Sequence, residues 1–235
     1  METVILCGGR GTRLREYTSA IPKVLVEVGR RPILWHIMRS YAHHGFDDFI
    51  LALGYLQERV RDYAEDSPSS WHVRAIDTGL DTNTGGRLKL LEDTIGGDVF
   101  FVTYGDGVSD IDLQRLRDYH LAHGRIATVT VVRPHLSFGL LDVAADHAVR
   151  RFDEKPQLEA WINGGFFVFD RRIFNYLSVH SVLEREPMQA LVADRQLVAF
   201  QHTGFWKCMD TYKDNIELNA AWASGEAPWQ TWARR

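Results

Sequence analysis

The stretch "LCGGRGTRL", Leu6 to Leu14, indicates the fold. It comes directly behind the apolar run Val4–Ile5, and Thr3–Leu6 is predicted to form a buried strand. A glycine-rich turn after the first strand of an alternating α/β chain lies at the carboxyl edge of a parallel sheet, where such folds bind ligands. Gly8, Gly9 and Gly11 let the main chain approach a ligand closely and expose several N–H donors to anionic oxygens.

Three cations accompany this turn: Arg10 and Arg13 lie within it, and Lys23 follows in "IPKVLVEV". The dinucleotide-binding pattern G-x-G-x-x-G requires a glycine where Leu14 stands, and no Gly-Lys-Ser/Thr follows as it does in a P-loop. Together with the backbone amides, the three cations suit a ligand that carries more negative charge than a diphosphate bridge. A tight turn with solvated arginines is the alternative, and the grouping of Arg and Lys favours an anion-binding loop.

The rest of the chain predicts an α/β fold, a Rossmann-like αβα sandwich with a mostly parallel mixed central sheet and a smaller antiparallel addition. In the first part, the predicted strands are Thr3–Leu6, Phe49–Leu53, Trp71–Ile76, Val99–Thr103 and Ile126–Val132. Between them lie the predicted helices Arg31–Gly45, Leu56–Glu65, Arg87–Ile95 and Leu113–His123. After Pro134, three strands follow without long helices between them: Gly139–Val143, Val149–Asp153 and Phe166–Phe169. Further helices are predicted at Arg171–Leu177, Leu183–Val192 and Tyr212–Ala223.

The composition limits the possible partners and the compartment. The 235 residues fit a single domain, and the net charge of -4 argues against a nucleic-acid partner. No apolar run approaches the length that spans a membrane, so no membrane association is expected. The only cysteines, Cys7 and Cys208, cannot form a disulfide framework, and this favours a reducing, cytoplasmic compartment.

Several motifs carry a resemblance to a known family. "LCGGRGTRL" followed by "PKVLVEVGRRPILWHIM" resembles the signature of the sugar-nucleotide pyrophosphorylases, nucleotidyltransferases that act on sugar 1-phosphates. The stretches "DTGLDTNTGGRLK", "FFVTYGDGVSDID", "FDEKP", "INGGFFVF", "GFWKCMDTYKD" and "APWQTW" are similar to the glucose-1-phosphate cytidylyltransferase branch. The resemblance covers essentially the whole chain. It implies a homo-oligomeric, Mg²⁺-dependent enzyme that joins CTP to a sugar 1-phosphate, with glucose 1-phosphate as the best candidate.

The resemblance also assigns residues on the nucleotide side, in about residues 1–133. Arg13 is expected to hold the triphosphate, and Lys23 is expected to bridge the α-phosphate and the incoming phosphate. The expected nucleotide-binding residues are Leu6, Gly8, Gly9, Gly11, Thr12, Thr84, Gly85, Gly86, Arg87 and Gly105. The region from Tyr63 to Val73 is shorter than in the cytidylyltransferase branch, which leaves the identity of the base open.

The sugar-phosphate side is expected in about residues 134–235. In the family, the Glu and Lys that correspond to Glu154 and Lys155 of "FDEKP" hold the sugar hydroxyls and the sugar phosphate. In isolation these two residues would indicate a surface turn. Asn163 can both donate and accept a hydrogen bond, as sugar recognition requires, and Gly164 lets the pyranose lie against the backbone.

Two carboxylates are candidates for binding Mg²⁺, a hard cation that prefers oxygen ligands. Asp106 in "YGDG" comes just after a predicted strand, and Asp210 lies in "MDTYKD". The resemblance pairs these two residues, whereas their spacing alone could not. From the sequence alone, Asp210 could equally cap the helix that begins near Tyr212. The triad Asp110–Asp112 resembles the metal-binding motif of glycosyltransferases, but its offset from the strand favours a helix cap.

Parts of the sequence are also compatible with other functions. An NAD-dependent oxidoreductase is disfavoured by Leu14 at the third glycine position. A metal-dependent glycosyltransferase and a non-catalytic regulatory subunit that binds a nucleotide sugar stay open, as does a pyrophosphorylase for UTP, dTTP, GTP or another sugar. Cys7 is interpreted as a small core residue rather than a nucleophile.

Overall fold

A seven-stranded sheet forms the centre of the molecule. From one edge to the other, its strands are Leu197–Gln201, Ala127–Val132, Ile162–Asp170, Val99–Tyr104, Thr3–Leu6, Asp48–Leu53 and His72–Asp77. The structure, a computed structural model, describes residues 1–14 and 20–233; the Arg13 side chain lies outside the described part. The strands of the sheet are β1 Thr3–Leu6, β4 Asp48–Leu53, β5 His72–Asp77, β6 Val99–Tyr104, β8 Ala127–Val132, β11 Ile162–Asp170 and β12 Leu197–Gln201. Because only β11 pairs antiparallel with its neighbours, the other six strands run in one direction.

Three small antiparallel pairs add to the sheet. They join β2 Glu27–Val28 to β3 Arg31–Pro32, β7 Gly107–Ser109 to β13 Trp206–Cys208, and β9 Leu140–Val143 to β10 Val149–Asp153. The described α-helices are α1 Ile33–His43, α2 Gln57–Glu65, α3 Thr84–Leu90, α4 Leu113–His123, α5 Glu186–Ala193 and α6 Tyr212–Ala223. Short 3₁₀ helices lie at Thr12–Leu14, Lys23–Leu25, Arg171–Tyr176 and Thr231–Ala233.

Both faces of the sheet are covered, because the strands alternate their apolar side chains between two separate cores. On one face, Ile5 and Phe101 pack with residues of α1, α4 and α6. On the other face, Val4 and Phe100 pack with residues of α3, α5 and the 3₁₀ helix Arg171–Tyr176. A sheet that is buried on both sides and almost entirely parallel confirms the expected αβα sandwich.

The element boundaries agree with the sequence in many places and differ in others. β11 begins at Ile162 rather than Phe166, α5 begins at Glu186 rather than Leu183, and the helix predicted at Arg171–Leu177 is the 3₁₀ helix Arg171–Tyr176. α4 and α6 begin and end where they were predicted. The helix expected at Arg87–Ile95 instead covers Thr84–Leu90, which moves the "TGGR" motif from the loop before the helix into its first turn. The edge strand β12 was not predicted from the sequence, although its pairing with β8 completes the sheet.

The chain after α6 packs against α1, close to the loop that carries Lys23. The Trp229 indole is 1% exposed and donates a hydrogen bond to Nδ1 of His36 at 3.3 Å. His36 in turn donates from Nε2 to the Val28 carbonyl at 2.8 Å. The last tryptophans are therefore packing residues, and Trp229 supports the β2–β3 hairpin through His36.

Among the residues described, the α-helices are too short and too polar for any of them to cross a lipid bilayer.

Candidate active site

A cleft of about 440 Å³ lies at the carboxyl edge of the parallel strands β1 and β6. Its wall comes from four segments: the glycine turn behind β1, the 3₁₀ helix Lys23–Leu25, the start of α3 with the residues before it, and the end of β6 with the turn behind it. The lining residues are Leu6, Cys7, Gly8, Gly9, Gly11, Thr12, Lys23, Val24, Thr82, Asn83, Thr84, Arg87, Tyr104, Gly105 and Asp106. Most of the residues predicted for the nucleotide side line one cavity, since parallel strands end at one edge of the sheet.

The pairing of β7 with β13 brings the two candidate metal carboxylates together. In this register Cys208 lies opposite Gly107, and the Met209 N–H donates to the Asp106 carbonyl at 2.8 Å. Asp106 and Asp210 each lie next to one end of this short antiparallel pair. They are distant in sequence, so only the β7–β13 pairing makes them neighbours.

The Lys23 ammonium lies between these carboxylates. Its Nζ is 2.5 Å from Oδ2 of Asp106 and 2.7 Å from Oδ1 of Asp210. Burial alone would lower the pKa of Lys23, but the two carboxylates outweigh it and raise that pKa above its usual value. Lys23 is therefore a fixed positive charge at the rim of the cleft.

The cap alternatives for the acidic residues are resolved by the geometry. The side chain of Thr211 caps α6 in a capping box with Asp214, so Asp210 is not the capping residue. Asp112 caps α4 by accepting from the Arg115 N–H at 3.0 Å. Asp110 accepts from the Phe205 N–H at 2.7 Å and therefore holds the loop before β13 in place.

Arg87 lies beneath the glycine turn and binds backbone. Its guanidinium, in a residue only 4% exposed, donates to the carbonyls of Leu53 at 2.6 Å, Gly79 at 2.8 Å and Gly8 at 3.1 Å. A Cβ at Gly8 would lie 2.2 Å from the Arg87 Cζ atom, so only glycine fits above it. Arg87 thus ties three strand ends into one wall of the cleft.

The two glycines of the "TGGR" motif do not line the cleft. A Cβ at Gly85 would meet Ser181 Cβ at 2.8 Å, and one at Gly86 would meet the Val179 carbonyl oxygen at 2.3 Å. The Gly86 N–H also donates to the Ser181 carbonyl at 3.0 Å. In this structure, these glycines allow the segment 179–181 to pack closely against α3.

The sugar-phosphate candidates lie outside the residues that line the cleft. Glu154 and Lys155 follow β10, with side chains 61% and 53% exposed and 3.5 Å apart. Lys155 has a φ of +47°, a left-handed conformation that is uncommon for a residue with a side chain and typical of functional sites. Asn163 lies at the start of β11, and the Gly164 carbonyl accepts from the Trp206 indole at 2.7 Å.

Sequence reasoning missed two residues that connect these parts. Tyr104 lines the cleft, and its hydroxyl donates to Glu184 at 2.6 Å and accepts from Asn163 at 3.1 Å. The signal for Tyr104 was its position directly before the "GDG" turn. Glu184 gave no signal in the sequence, because only the tertiary structure brings it to the strand end.

The family model described as Nucleotidyl transferase matches residues 2–224. The chain belongs to the nucleotidyltransferase family.

Two nucleotidyltransferase relatives illustrate the range of similarity. The glucose-1-phosphate cytidylyltransferase of Salmonella typhimurium is 42% identical, over 99% of this chain and 100% of that protein. The mannose-1-phosphate guanyltransferase of Saccharomyces cerevisiae is 33% identical, over 91% of this chain and 62% of that protein. The crystal structure of HddC from Yersinia pseudotuberculosis complexed with GMP-PN has a TM-score of 0.75 and covers 94% of this chain and 99% of its own. At 23% identity, that match shows the shared fold.

The alignment with the Salmonella enzyme also shows that this chain is shorter than that enzyme. It extends over 257 positions with the Salmonella enzyme, whereas this chain has 235 residues, so that enzyme carries at least 22 residues without a counterpart here. In the structure, α2 and β5 are joined by two tight turns, closed by Ser67 N–H to Ala64 O and Trp71 N–H to Pro68 O. This compact connection falls in the region that the sequence predicted to be shortened.

Proposed function

We propose that this nucleotidyltransferase joins CTP to glucose 1-phosphate and releases CDP-glucose and pyrophosphate. The observation that carries the proposal is the ammonium of Lys23 held at the rim of the cleft between Asp106 and Asp210. The choice of CTP and glucose 1-phosphate follows the full-length similarity to a glucose-1-phosphate cytidylyltransferase.

The reaction is a direct transfer. A phosphate oxygen of the sugar 1-phosphate attacks the α-phosphorus of the triphosphate, and the bond from that phosphorus to the β-phosphate oxygen breaks. The electron pair leaves with pyrophosphate, and no covalent enzyme intermediate forms, because the attacking oxygen is already ionised at neutral pH. Two polyanions repel one another, so alignment and positive charge supply most of the rate.

This chain's own residues have distinct tasks in that transfer. The backbone around Gly8, Gly9 and Gly11 takes the triphosphate, and Leu6, Thr12, Thr84 and Gly105 line the same cleft. Lys23 bridges the α-phosphate and the incoming phosphate. Arg13 is proposed to hold the departing pyrophosphate; its side chain lies outside the part that the structure describes.

Asp106 and Asp210 fit a divalent cation such as Mg²⁺. Mg²⁺ binds through one or two carboxylates together with phosphate and water oxygens, and the donor set here is two carboxylates beside the cleft. No group of three or more metal-binding side chains occurs among residues 1–14 and 20–233. When bound, the ion supplies charge neutralisation of the triphosphate.

We further propose a division of labour within one domain, with the nucleotide bound by about residues 1–133 and the sugar phosphate by about 134–235. Lys155 would hold the sugar phosphate, while Glu154, Asn163 and Gly164 would contact the sugar. The strained backbone of Lys155 supports this role. Asp210 belongs to the second part of the chain and would bind the metal together with Asp106, which belongs to the first.

A cytoplasmic location and a homo-oligomeric state are also proposed. Both cysteines are free, which fits a reducing compartment. The β9–β10 hairpin leaves large apolar side chains exposed that a second copy could cover: Leu140, Leu141, Val143, Val149 and Phe152. Light scattering on the purified protein measures the oligomeric state.

A product assay tests the proposed function. Four triphosphates (CTP, UTP, dTTP and GTP) are crossed with glucose 1-phosphate and mannose 1-phosphate, and pyrophosphate release is measured with and without Mg²⁺. We expect turnover with CTP and glucose 1-phosphate that depends on Mg²⁺. Preference for another pair would overturn the substrate assignment. Absence of pyrophosphate with every pair, despite nucleotide-sugar binding, would instead indicate a regulatory subunit.

A further inference from the structure

Glu184 joins the two sides of the proposed site through its two carboxylate oxygens. Its Oε2 accepts a hydrogen bond from the Thr84 hydroxyl at 2.7 Å, at the start of α3. Its Oε1 accepts from the Tyr104 hydroxyl at 2.6 Å, at the end of β6. One carboxylate therefore orients two hydroxyl groups that belong to different walls of the cleft.

Backbone N–H groups anchor both ends of this network. The Leu183 N–H donates to Oγ1 of Thr84 at 3.0 Å. At the other end, Nδ2 of Asn163 donates to the Tyr104 oxygen at 3.1 Å, and the Gly165 N–H donates to Oδ1 of Asn163 at 2.8 Å. Every hydrogen bond in the network points towards Glu184, so the hydrogen positions follow from the anchors.

This direction decides what Tyr104 can offer to a ligand. The Tyr104 hydroxyl donates its hydrogen to Oε1 of Glu184 at 2.6 Å. An ionised carboxylate can only accept, so the single Tyr104 hydrogen is committed to Glu184. Of the hydrogen-bonding capacity of this pair, the network leaves one lone pair on the Tyr104 oxygen, and one N–H and one Oδ1 lone pair on Asn163.

The backbone also fixes the position of the Tyr104 ring. Gly165 has a φ of +79°, and a Cβ there would lie 2.4 Å from Cδ2 of Tyr104. The ring lies against the glycine backbone, and its hydroxyl stands between the cleft and the start of β11. An acceptor and a donor are thus presented next to each other at the place proposed for the sugar.

We infer that Glu184 is a positioning residue that makes Tyr104 and Asn163 a selective pair for one hydroxyl of the sugar. A hydroxyl group can donate to the Tyr104 oxygen and accept from the Asn163 amide at once, whereas a deoxy position can do neither. Such a site rejects the analogue that lacks the hydroxyl, because its polar groups are then left unpaired. This inference rests on the proposed function, since it assigns the sugar specificity of the same site.

Isosteric substitutions test the inference. Glu184→Gln replaces one carboxylate oxygen with an amide NH₂ group, which donates. The hydroxyl of Thr84 or Tyr104 that faces this group must then accept a hydrogen bond instead of donating one. Tyr104→Phe removes the oxygen. With CTP as co-substrate, kcat/KM is measured for glucose 1-phosphate and for its 2-, 3-, 4- and 6-deoxy analogues.

We expect the wild-type protein to disfavour one of these analogues, and both variants to lose that discrimination by about tenfold or more. The other analogues should keep their ratios to glucose 1-phosphate, and KM for CTP should change much less. The double variant should be no worse than Tyr104→Phe alone, because the two residues act as one unit. A purely structural role would instead lower kcat/KM for every sugar phosphate by the same factor.

Glu186→Gln is the matched control, since Glu186 is exposed at the first turn of α5, two residues from Glu184. If the wild-type protein turns over and Glu184→Gln discriminates between the sugar analogues as the wild type does, the inference is contradicted and the proposed function stands. A wild-type protein that releases no pyrophosphate contradicts the proposed function alone. In that case calorimetric titration of the same five sugar phosphates decides the inference: selective binding lost in Glu184→Gln supports it, and unchanged binding overturns it.

Discussion

The glycine-turn region and the β9–β10 hairpin are built in opposite ways. The glycine turn lies on a buried parallel sheet and is tied down by Arg87, which is only 4% exposed. The hairpin is a separate two-stranded sheet, and all the residues of β9 are exposed. The proposed nucleotide side is therefore preformed by the core, whereas Glu154 and Lys155 extend from a segment with little support of its own.

This difference has a consequence for catalysis and for stability. Substitutions in the first region act on the chemistry or on the whole fold, because its polar groups are buried and connected. Substitutions at Glu154 and Lys155, which directly follow the hairpin, are expected to act on substrate affinity and to leave the free energy of unfolding almost unchanged.

The largest effect is expected for Lys23→Ala. Loss of the charge at the rim of the cleft should lower kcat for pyrophosphate release by about 10²- to 10³-fold, as removal of a group that stabilises transition-state charge does in other enzymes. Lys213→Ala, whose side chain is 67% exposed, is the control and should keep wild-type turnover. Near-normal turnover of Lys23→Ala would contradict the assigned role.

The same variant makes a second measurement possible. The ammonium competes with a divalent cation for the two carboxylates, because like charges a few ångströms apart repel. Without nucleotide, Lys23→Ala should therefore bind Mn²⁺ more tightly than the wild-type protein in a calorimetric titration. Weaker binding would indicate that the carboxylates need Lys23 to stay in place.

Arg87→Leu should have the next largest effect, and on stability. It removes the guanidinium from the carbonyls of Gly8, Leu53 and Gly79, of which Gly8 and Leu53 keep a backbone N–H donor, and a hydrogen bond to a charged group contributes about 1.5–3 kcal/mol. We expect the free energy of unfolding in urea to fall by about 3 kcal/mol. Arg151→Leu on the hairpin, whose side chain is 73% exposed, should change it by less than about 0.5 kcal/mol. Equal effects of the two variants would remove the distinction between the regions.

Lys155→Ala should change affinity without changing stability. Its side chain is 53% exposed, so its loss should leave the urea midpoint unchanged. KM for glucose 1-phosphate should rise about tenfold, as expected for the loss of one charge-assisted hydrogen bond to a phosphate. KM for CTP should stay near the wild-type value; a parallel rise in both would place Lys155 elsewhere in the reaction.

The smallest expected effect concerns pH. Burial lowers the pKa of His36 to about 4, and its Nδ1 accepts from the Trp229 indole, which protonation would prevent. In the unfolded chain the pKa is about 6.5, so stability from His36 is present at neutral pH and is lost as the pH falls from 6.5 towards 4. Between pH 7 and 5.5, His36 should account for about 1 kcal/mol of lost stability. In His36→Gln this part of the pH dependence should disappear.

Local patterns predicted a large part of the molecule. The run Val4–Leu6 is apolar, and the predicted strand Thr3–Leu6 forms the central strand β1 with the same boundaries. α6 was equally predictable, because its capping residue and periodicity are read from adjacent residues. β12 was missed because its five residues are only partly buried at the sheet edge and give little alternation.

Most of the residues that line the cleft could also be named in advance, since the glycine turn and the "GDG" turn both follow strands. The packing of Gly85 and Gly86 against residues 179–181 could not be predicted, because that contact joins segments far apart in the chain. The same holds for Glu184, whose partners Thr84 and Tyr104 lie far before it in the sequence.

The sequence by itself determined the central strands, the glycine turn behind β1 and the family, because apolar periodicity and turn chemistry act between neighbouring residues. Only the tertiary structure decided that Lys23 lies between Asp106 and Asp210, and that Glu184 orients Tyr104 and Thr84. The physical reason is that these contacts depend on strand order and on the β7–β13 register, which the packing of the whole sheet sets.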